Sequence, residues 1–208
     1  MPNRDVRVLT CPRCGAPVKT SGKKCEYCKA EFILTSLTSL DGFDKADTNK
    51  YVNHYRQLLR ENPDSGDLNS AMGICYLDLG LHDLAIKYFA KAVEDMPDNA
   101  DSYYYYALAL LKGKRPKMLT LAEIRRIEEY LGAAIKIDDT KSKYYYLLAL
   151  IKQDFYNYNG LAIKTPTVEE LMNEAGSRPY DGTEIRKMLD RIQIGDQNLV
   201  SLVTNRDG

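Results

Sequence analysis

Two pairs of cysteines lie within the first 28 residues, Cys11 with Cys14 and Cys25 with Cys28, and each pair encloses two residues. Two thiolates at this spacing on a tight turn can bind one ion together, and a second such turn completes a tetrahedron. Four sulfur ligands favour Zn²⁺ over harder cations. Because four thiolates leave no open position for a catalytic water, we expect one structural zinc ion bound by Cys11, Cys14, Cys25 and Cys28.

Disulfides and a redox-active pair are the other uses of cysteines at this spacing. The chain starts Met1-Pro-Asn-Arg without an apolar signal segment, which favours a reducing cytoplasm, where disulfides are rare. A thioredoxin-like pair is disfavoured because the motif occurs twice within 28 residues and no βαβ pattern surrounds it. Gly15 follows the first pair and suits a turn with positive φ, whereas Lys29 takes this place less comfortably after the second pair.

The cysteine segments contain further residues of a known pattern, Cys11-Pro-Arg-Cys14-Gly-Ala and Cys25-Glu-Tyr-Cys28 with Glu31-Phe32. This pattern resembles the small zinc-ribbon module found at the ends of many bacterial proteins, and the match covers residues 6–34. The resemblance implies a β zinc ribbon at residues 1–34, with extended pieces at 7–9, 17–20, 23–24 and 31–34. Since a module of about 30 residues buries too little apolar surface to fold alone, zinc would supply folding energy.

Composition and charge limit the classes of partner. The chain has 208 residues, 44% apolar and 28% charged, which is enough for one extended domain besides the ribbon. Residues 1–34 contain seven Lys or Arg and three acids, a formal charge of +4, and four thiolates with one Zn²⁺ would reduce this excess to about +2. Such a charge argues only weakly for nucleic-acid binding. No apolar run approaches the ~18 residues of a membrane span, so no membrane partner is expected.

Residues 35–47 are rich in Ser, Thr and Asp and lack helical periodicity, which predicts a linker. Docking of this segment on the helical part of the chain is the alternative, with Leu37, Leu40 and Phe43 as the apolar contacts. A linker would leave the ribbon loosely tethered, whereas docking would make it part of the helical body.

A 34-residue period follows the linker. The stretch Glu61-Asn-Pro63-Asp64-Ser-Gly-Asp67 corresponds to Asp95-Met-Pro97-Asp98-Asn-Ala-Asp101 at a separation of 34 positions, which is typical of helix-turn-helix repeats. The intervening pattern is Asn69, Met72, Gly73, Tyr76, Gly80, Ala85, Phe89 and Ala92. It resembles the tetratricopeptide repeat, with Asn69 and Met72 where Trp and Leu are usual. The resemblance implies a mainly α fold, a TPR-like α-solenoid in which small residues such as Gly73 permit close contact between paired helices.

The same period extends the repeats on both sides. Residues 48–61 fit the second helix of an incomplete leading repeat, residues 103–112 and 121–137 form a third unit, and residues 143–152 start a fourth. We therefore assign TPR-like helical repeats to residues 48–160. Residues 161–208 are predicted to cap the repeats with helices, because Thr167-x-x-Glu170 is a capping-box start and residues 183–192 have helical periodicity. A helix-turn-helix reader of DNA is the alternative for these helices.

The first helices of stacked repeats line a groove that binds an extended or helical peptide. Repeat phase predicts that eight residues line it: Ser70, Ile74, Leu77, Tyr104, Leu108, Lys112, Tyr145 and Lys152. Tyrosine is favoured at interfaces, and burial in the core is the alternative for each tyrosine. Repeats of this family that bind chaperone C-termini use lysines and asparagines on successive first helices. Asp67, Ser70 and Tyr104 occupy the matching faces here, so this carboxylate-clamp function is not supported.

These features favour a non-enzymatic adaptor whose repeat groove binds a protein or peptide partner. The sequence offers no Gly-rich phosphate loop and no thiol or hydroxyl partner for His54 and His82, and we expect Cys75 to be a buried apolar residue. The alternative is a nucleic-acid-associated factor in which the ribbon contacts DNA or RNA, and an enzyme subunit is a third class. The basic insertion at residues 112–117 either contacts an acidic partner or keeps a loop solvated.

Overall fold

The computed structural model describes residues 10–18 and 23–205, and most of these residues are helical. The helices are α1 (Lys45–Glu61), α2 (Gly66–Asp78), α3 (His82–Asp95), α4 (Ala100–Leu110), α5 (Leu121–Ile137), α6 (Ser142–Lys152), α7 (Val168–Gly176), α8 (Gly182–Leu189) and α9 (Gln197–Thr204). The predicted mainly α class is confirmed. The described part of the ribbon contains two isolated antiparallel bridges, Thr10 with Pro17 and Lys24 with Glu31. The extended pieces predicted at residues 7–9 and 19–20 lie outside the described residues.

Two compact units make up the chain, Met1–Pro97 and Asp98–Gly208. In the first unit, α1 packs on α2 and α2 packs on α3. Gly73 of α2 lies against the ring of Phe89 on α3, where a Cβ atom at position 73 would be 2.7 Å from the Phe89 Cε1 atom. The missing side chain at position 73 therefore lets the two helices approach each other, as the repeat pattern predicts.

Asn69, which replaces the usual tryptophan of the repeat, connects three parts of the first unit. Its Nδ2 atom donates hydrogen bonds to the carbonyl oxygens of Pro63 and Ser65, both at 3.0 Å, and to Asp95 Oδ2 at 3.3 Å. The residue is 3% exposed, and a buried amide needs such partners. Hydrogen bonds of Asn69 thus join the turn before α2 to the end of α3.

Polar side chains determine where several helices begin. Asp44, Ser65 and Asn99 each accept a hydrogen bond from the backbone N–H three residues later. Such a bond satisfies one of the free donors of the first helical turn. Capping by Asp44 makes α1 begin at Lys45, three residues before the start predicted at residue 48.

The segment between the ribbon and α1 is folded. Leu37–Leu40 forms a 3₁₀ turn, and the Ser36 side chain caps it by accepting a hydrogen bond from the backbone N–H of Ser39. Leu37 and Leu40 are 1% and 2% exposed. Both leucines therefore contribute to the core of the first unit.

In the second unit, α4 packs on α5, α5 on α6, and α6 on α7. The insertion after α4 contains the 3₁₀ turn Pro116–Met118, and α5 begins at Leu121, as predicted. Helix α6 continues into one π turn, Gln153–Asn157. The predicted reciprocal capping box of Thr167 and Glu170 precedes α7 and is confirmed.

The last two helices, α8 and α9, are short, and both contact α6 as well as each other. They bury apolar side chains on one face, namely Ile185 and Met188 of α8 and Leu199 and Val203 of α9. Helix α8 covers part of the range predicted at 183–192, whereas α9 has no counterpart among the predicted helices. No helix in the described part of the chain is both long enough and apolar enough to span a membrane.

Candidate functional site

Each cysteine pair lies on a tight turn closed by a backbone hydrogen bond. The N–H of Gly15 donates to the carbonyl oxygen of Cys11 at 2.9 Å, and the N–H of Lys29 donates to that of Cys25 at 3.0 Å. Gly15 has a φ of 72° and Lys29 a φ of 62°. Both turns therefore have the left-handed backbone expected of them, which glycine adopts freely and which is unfavourable for lysine.

The four sulfur atoms of Cys11, Cys14, Cys25 and Cys28 lie within 4.8 Å of one another. The Sγ atoms of Cys11 and Cys28 are 3.6 Å apart, and those of Cys14 and Cys25 are 3.7 Å apart. A zinc ion with Zn–S bonds of about 2.3 Å requires tetrahedral S···S edges of about 3.8 Å. The predicted ligands are thus brought together at a spacing that fits one Zn²⁺ ion.

The free thiols of this cluster differ in their environment. Burial raises the pKa of the Cys11 thiol to about 12, whereas the backbone N–H of Cys28 is the main cause that lowers the pKa of Cys25 to about 7. Cys11 and Cys25 pack with Phe32 in a small apolar cluster, and Cys14 is exposed. Because zinc binds thiolates, binding releases protons, and the affinity of the site must fall at acid pH.

Two buried tyrosines of α1 attach the second cysteine turn to the helices. The Tyr51 hydroxyl donates to the carbonyl oxygen of Glu31 at 2.6 Å. The Tyr55 hydroxyl donates to the carbonyl oxygen of Phe32 and accepts from the N–H of Leu34, both at 3.0 Å. Both tyrosines are 0% exposed, and burial is the first cause that raises their pKa values. The chain after Cys28 is therefore part of the core of the first unit.

Arg13, between the first two ligands, attaches the first cysteine turn in the same way. Its Nε atom lies 3.2 Å from Asp47 Oδ2, and its Nη2 atom donates to the carbonyl oxygen of Gly42 at 3.1 Å. The guanidinium carbon is 4.4 Å from the centre of the Phe43 ring, which adds a cation–π contact. The sequence did not predict these contacts of Arg13, Tyr51 and Tyr55, although the two tyrosines are four residues apart and so share one face of α1.

The eight residues predicted to line a groove are mostly buried. Seven of them are exposed by 9% or less, namely Ser70, Ile74, Leu77, Tyr104, Leu108, Tyr145 and Lys152, and Lys112 is exposed. Tyr104 and Tyr145 are both buried in the chain by itself, which is the alternative considered for the tyrosines. Contact between these eight residues and a partner stays a prediction.

Tyr145 and Lys152 contact the loops that flank α7. The guanidinium carbon of Arg178 lies 4.1 Å from the centre of the Tyr145 ring. Lys152 Nζ donates to the carbonyl oxygens of Lys164 and Pro166 at 2.9 Å and 2.7 Å. Burial lowers the pKa of Lys152. Other residues of the second unit thus contact both of these side chains.

Four polar side chains from α4, α6 and α8 meet in the second unit and form the Lys143 cluster: Asp101, Tyr105, Lys143 and Glu184. Lys143 Nζ lies 2.8 Å from Asp101 Oδ1 and 3.0 Å from Glu184 Oε1. The Tyr105 hydroxyl donates to the same Glu184 oxygen. Lys143 and Glu184 are only 9% and 6% exposed. The cluster is therefore a buried network of opposite charges that joins α8 to α4 and α6.

Tyrosine rings surround the cation of this cluster. Lys143 Nζ lies 4.7 Å from the ring centre of Tyr104, 5.0 Å from that of Tyr105 and 5.7 Å from that of Tyr144, within the range of cation–π attraction. Burial alone would raise the pKa of Asp101, but the charges of Lys143 and Lys141 lower it. Burial, with the charge of Glu184, raises the pKa of Tyr105 well above its ordinary value.

Sequence reasoning did not find the Lys143 cluster. One signal was present: Lys143 follows Tyr103 by 40 residues, the approximate spacing of the third and fourth first helices, so a cation replaces an aromatic residue there. Its partners Asp101 and Glu184 are 42 and 41 residues away along the chain. The repeat period does not relate Glu184 to Lys143, and only the folded second unit brings them together.

A second polar contact, centred on Asp154, connects the segment before α9 to the end of α6. Asp154 Oδ1 accepts hydrogen bonds from Arg115 Nε at 2.8 Å and from the N–H of Gly195 at 2.9 Å. Gln153 Nε2 donates to Asp196 Oδ2 at 3.0 Å. Because Arg115 belongs to the basic insertion, part of that insertion contacts other residues of the second unit.

The other reactive side chains considered in the sequence lie in the helical repeats. Cys75 in α2 is fully buried, and burial raises the pKa of its thiol. Burial lowers the pKa of His54 in α1. The expectation that Cys75 is a buried apolar residue is confirmed.

Comparisons with known proteins identify the repeats. Residues 43–111 match the sequence model of the tetratricopeptide repeat family. Among solved structures, the chain is similar to MamA, with 18% identity, a TM-score of 0.53, and coverage of 82% of this chain and 91% of that chain. It is also similar to TTC0263, a thermophilic TPR protein in Thermus thermophilus, with 14% identity, a TM-score of 0.52, and coverage of 76% and 90%. At these identities the likeness shows the helical-repeat fold. No curated protein matches the sequence.

Proposed function

Because tetratricopeptide repeats occupy residues 43–111 behind four clustered cysteines, we propose that this chain is a non-enzymatic, cytoplasmic adaptor that binds a protein or peptide partner through its repeats. The match to the repeat family is the observation that carries this proposal. Tetratricopeptide folds are typically non-catalytic scaffolds for protein interaction, and pairs of stacked helices offer side chains of fixed position to a partner.

One zinc ion bound by Cys11, Cys14, Cys25 and Cys28 has a structural role in this proposal. The S···S distances of 3.6 Å and 3.7 Å support tetrahedral coordination by sulfur alone. The hydroxyl groups of Tyr51 and Tyr55 donate hydrogen bonds to the chain after Cys28, so the ribbon packs on α1. Zinc thereby stabilises the first helix of the repeats.

Lys112 is the predicted contact that a partner reaches most directly, because it is exposed at the end of α4. The other seven predicted contacts are buried in the chain by itself. A partner therefore gains access to Tyr104, Tyr145 and Lys152 only if residues of the second unit move away from them.

The test is a crosslinking pull-down from native lysate with the full, zinc-loaded chain and its Lys112→Glu variant. We expect the wild-type chain to recover a specific protein and the Lys112→Glu chain to recover several-fold less of it, because the substitution reverses the charge at an exposed contact. Lys87→Glu is the matched control, since Lys87 is exposed on α3 and was not predicted to contact a partner.

Recovery of no specific protein by the wild-type chain would contradict the adaptor proposal. A mobility-shift measurement with DNA and RNA at about 50 mM salt tests the alternative, because phosphate contacts are strongest at low salt. A shift in nucleic-acid mobility without a recovered protein would favour a nucleic-acid-associated factor.

A further inference from the structure

The C-terminal helix pair, α8 with α9, lies on the first helices of the last two repeats. Glu184 of α8 contacts Tyr105 on α4 and Lys143 on α6. Tyr180, just before α8, packs its ring against that of Tyr146 on α6, with ring centres 6.3 Å apart. In tetratricopeptide repeats the first helices provide the binding surface. In this chain, the C-terminal helix pair therefore covers the surface that a partner of the second unit would use.

The helix pair presents to this surface the features of a peptide ligand. Its apolar face consists of Ile185 and Met188 on α8, which are 1% and 0% exposed, and Leu199 and Val203 on α9, which are 8% and 0% exposed. One carboxylate, that of Glu184, lies between Lys143 and the Tyr105 hydroxyl. This is the pattern of an amphipathic helix that lies in a groove, with an acidic residue that selects the orientation.

Two physical features lower the free-energy cost of opening this contact. Burying the ions of Glu184 and Lys143 requires desolvation that can offset most of their attraction. Both helices have eight residues, and isolated helices of that length are not stable in water. Such peripheral elements usually open at lower free energy than the core helices of a fold. Opening would remove the Glu184 carboxylate from both Lys143 Nζ and the Tyr105 hydroxyl.

We propose that the C-terminal helix pair is an internal occupant of the partner surface, and that the partner displacing it is an acidic amphipathic helix. The partner places a carboxylate between Lys143 and Tyr105 and apolar side chains where Ile185 and Met188 lie. This inference rests on the proposed function, since it names the chemistry of the protein that the repeats bind.

The test uses a labelled synthetic peptide of residues 180–204 as the probe and the full, zinc-loaded chain as the receptor. Fluorescence anisotropy measures peptide binding to the wild-type chain, to Glu184→Gln and to Glu169→Gln. Glu169 is exposed on α7, so its variant makes the same chemical change away from the cluster. We expect the peptide to bind Glu184→Gln at least tenfold more tightly than either of the other two chains. A second peptide with Glu184→Lys should not bind.

Three results would overturn the proposal. Equal, weak binding of the peptide to all three chains would show that the helix pair is a fixed part of the fold. Equal binding of both peptides would show that the carboxylate selects nothing. Dimerisation of Glu184→Gln without peptide binding would assign the surface to a second copy of the chain.

Circular dichroism first establishes that Glu184→Gln is folded. If it has lost its helical signal, Asp181→Ala replaces it, because that change removes the side-chain cap of α8 and leaves Lys143 and Tyr105 of the surface unchanged. The peptide is again expected to bind severalfold more tightly than it binds the wild-type chain. The probe comes from the chain itself, so this test does not depend on the lysate experiment. Recovery of a partner without peptide binding would contradict this inference alone, and peptide binding without a recovered partner would contradict only the proposed function.

Discussion

Tyr104 and Tyr105 are neighbours in the sequence and both are fully buried, yet their hydroxyl groups have different roles. The Tyr105 hydroxyl donates to Glu184 in the Lys143 cluster. The Tyr104 hydroxyl has no hydrogen-bond partner among the described residues. A single run of aromatic residues therefore contains one side chain that acts through its ring and one that also supports a polar network.

This difference predicts opposite outcomes for two matched substitutions. Tyr105→Phe should lower the free energy of unfolding by about 1–3 kcal/mol, because it removes a donor from a buried carboxylate. Tyr104→Phe should leave the free energy unchanged or slightly higher, because the hydroxyl that it removes is buried without a protein partner. Urea unfolding of the zinc-loaded chains measures both values. Equal destabilisation by the two substitutions would contradict the assignment.

The cysteine ligands could be predicted from the sequence, and the Lys143 cluster could not. Cys11 and Cys14, like Cys25 and Cys28, are close in the chain, so their spacing alone determines that each pair shares a turn. Tyr105 and Glu184, by contrast, are separated by 79 residues. A contact of this kind depends on how α8 packs, which leaves no local pattern in the sequence.

Among the helices, glycines show how closely the elements pack. Gly73 of α2 faces the Phe89 ring, with an added Cβ only 2.7 Å from the nearest ring atom. Gly132 of α5 has open space, since an added Cβ meets no atom of the described residues within 4 Å. A side chain therefore has room at position 132 but not at position 73.

Alanine at these two positions should change stability in opposite directions. Gly132→Ala should raise the free energy of unfolding by about 0.5–1 kcal/mol through helix propensity alone. Gly73→Ala should lower it, because overpacking against Phe89 costs about 1–3 kcal/mol and exceeds the gain in propensity. Denaturant unfolding followed by circular dichroism measures both. Stabilisation by Gly73→Ala would show that α2 and α3 can move apart freely.

The repeat period predicted the helices α1 to α6 because each repeat imposes the same apolar spacing and the same turn residues. It did not predict α9 or the position of the C-terminal helix pair, because these elements follow no repeat. It also assigned Tyr145 and Lys152 to a groove, which stays a prediction; in the chain by itself both side chains contact the loops that flank α7. Which face of a repeat helix is buried therefore also depends on segments outside the repeats.

In the molecule as a whole, the metal site and the repeats are linked through the first unit. Tyr51, Tyr55 and Arg13 join the cysteine turns to α1 and the segment before it. These contacts attach the four clustered cysteines to a helix that begins 17 residues after Cys28, at Lys45.

Removal of zinc should consequently loosen α1. With the chelator EDTA, we expect faster hydrogen exchange of the backbone amides in α1, because the docked ribbon that covers Tyr51 and Tyr55 loses its metal. The amides of α5 in the second unit serve as the internal control and should keep their protection. Cys14→Ser should reproduce the effect without chelator. Unchanged exchange in α1 would show that the ribbon does not support the helix.

We propose that the repeats of this chain recognise the partner and that the zinc ribbon supports the repeats. A photo-crosslinking amino acid placed at Lys112 or at Tyr27 tests it most directly, since Lys112 is exposed beside α4 and Tyr27, between two zinc ligands, is 60% exposed. We expect the zinc-loaded chain to crosslink a specific protein in native lysate from position 112 and not from position 27. Crosslinks to protein or nucleic acid from position 27 alone would contradict it.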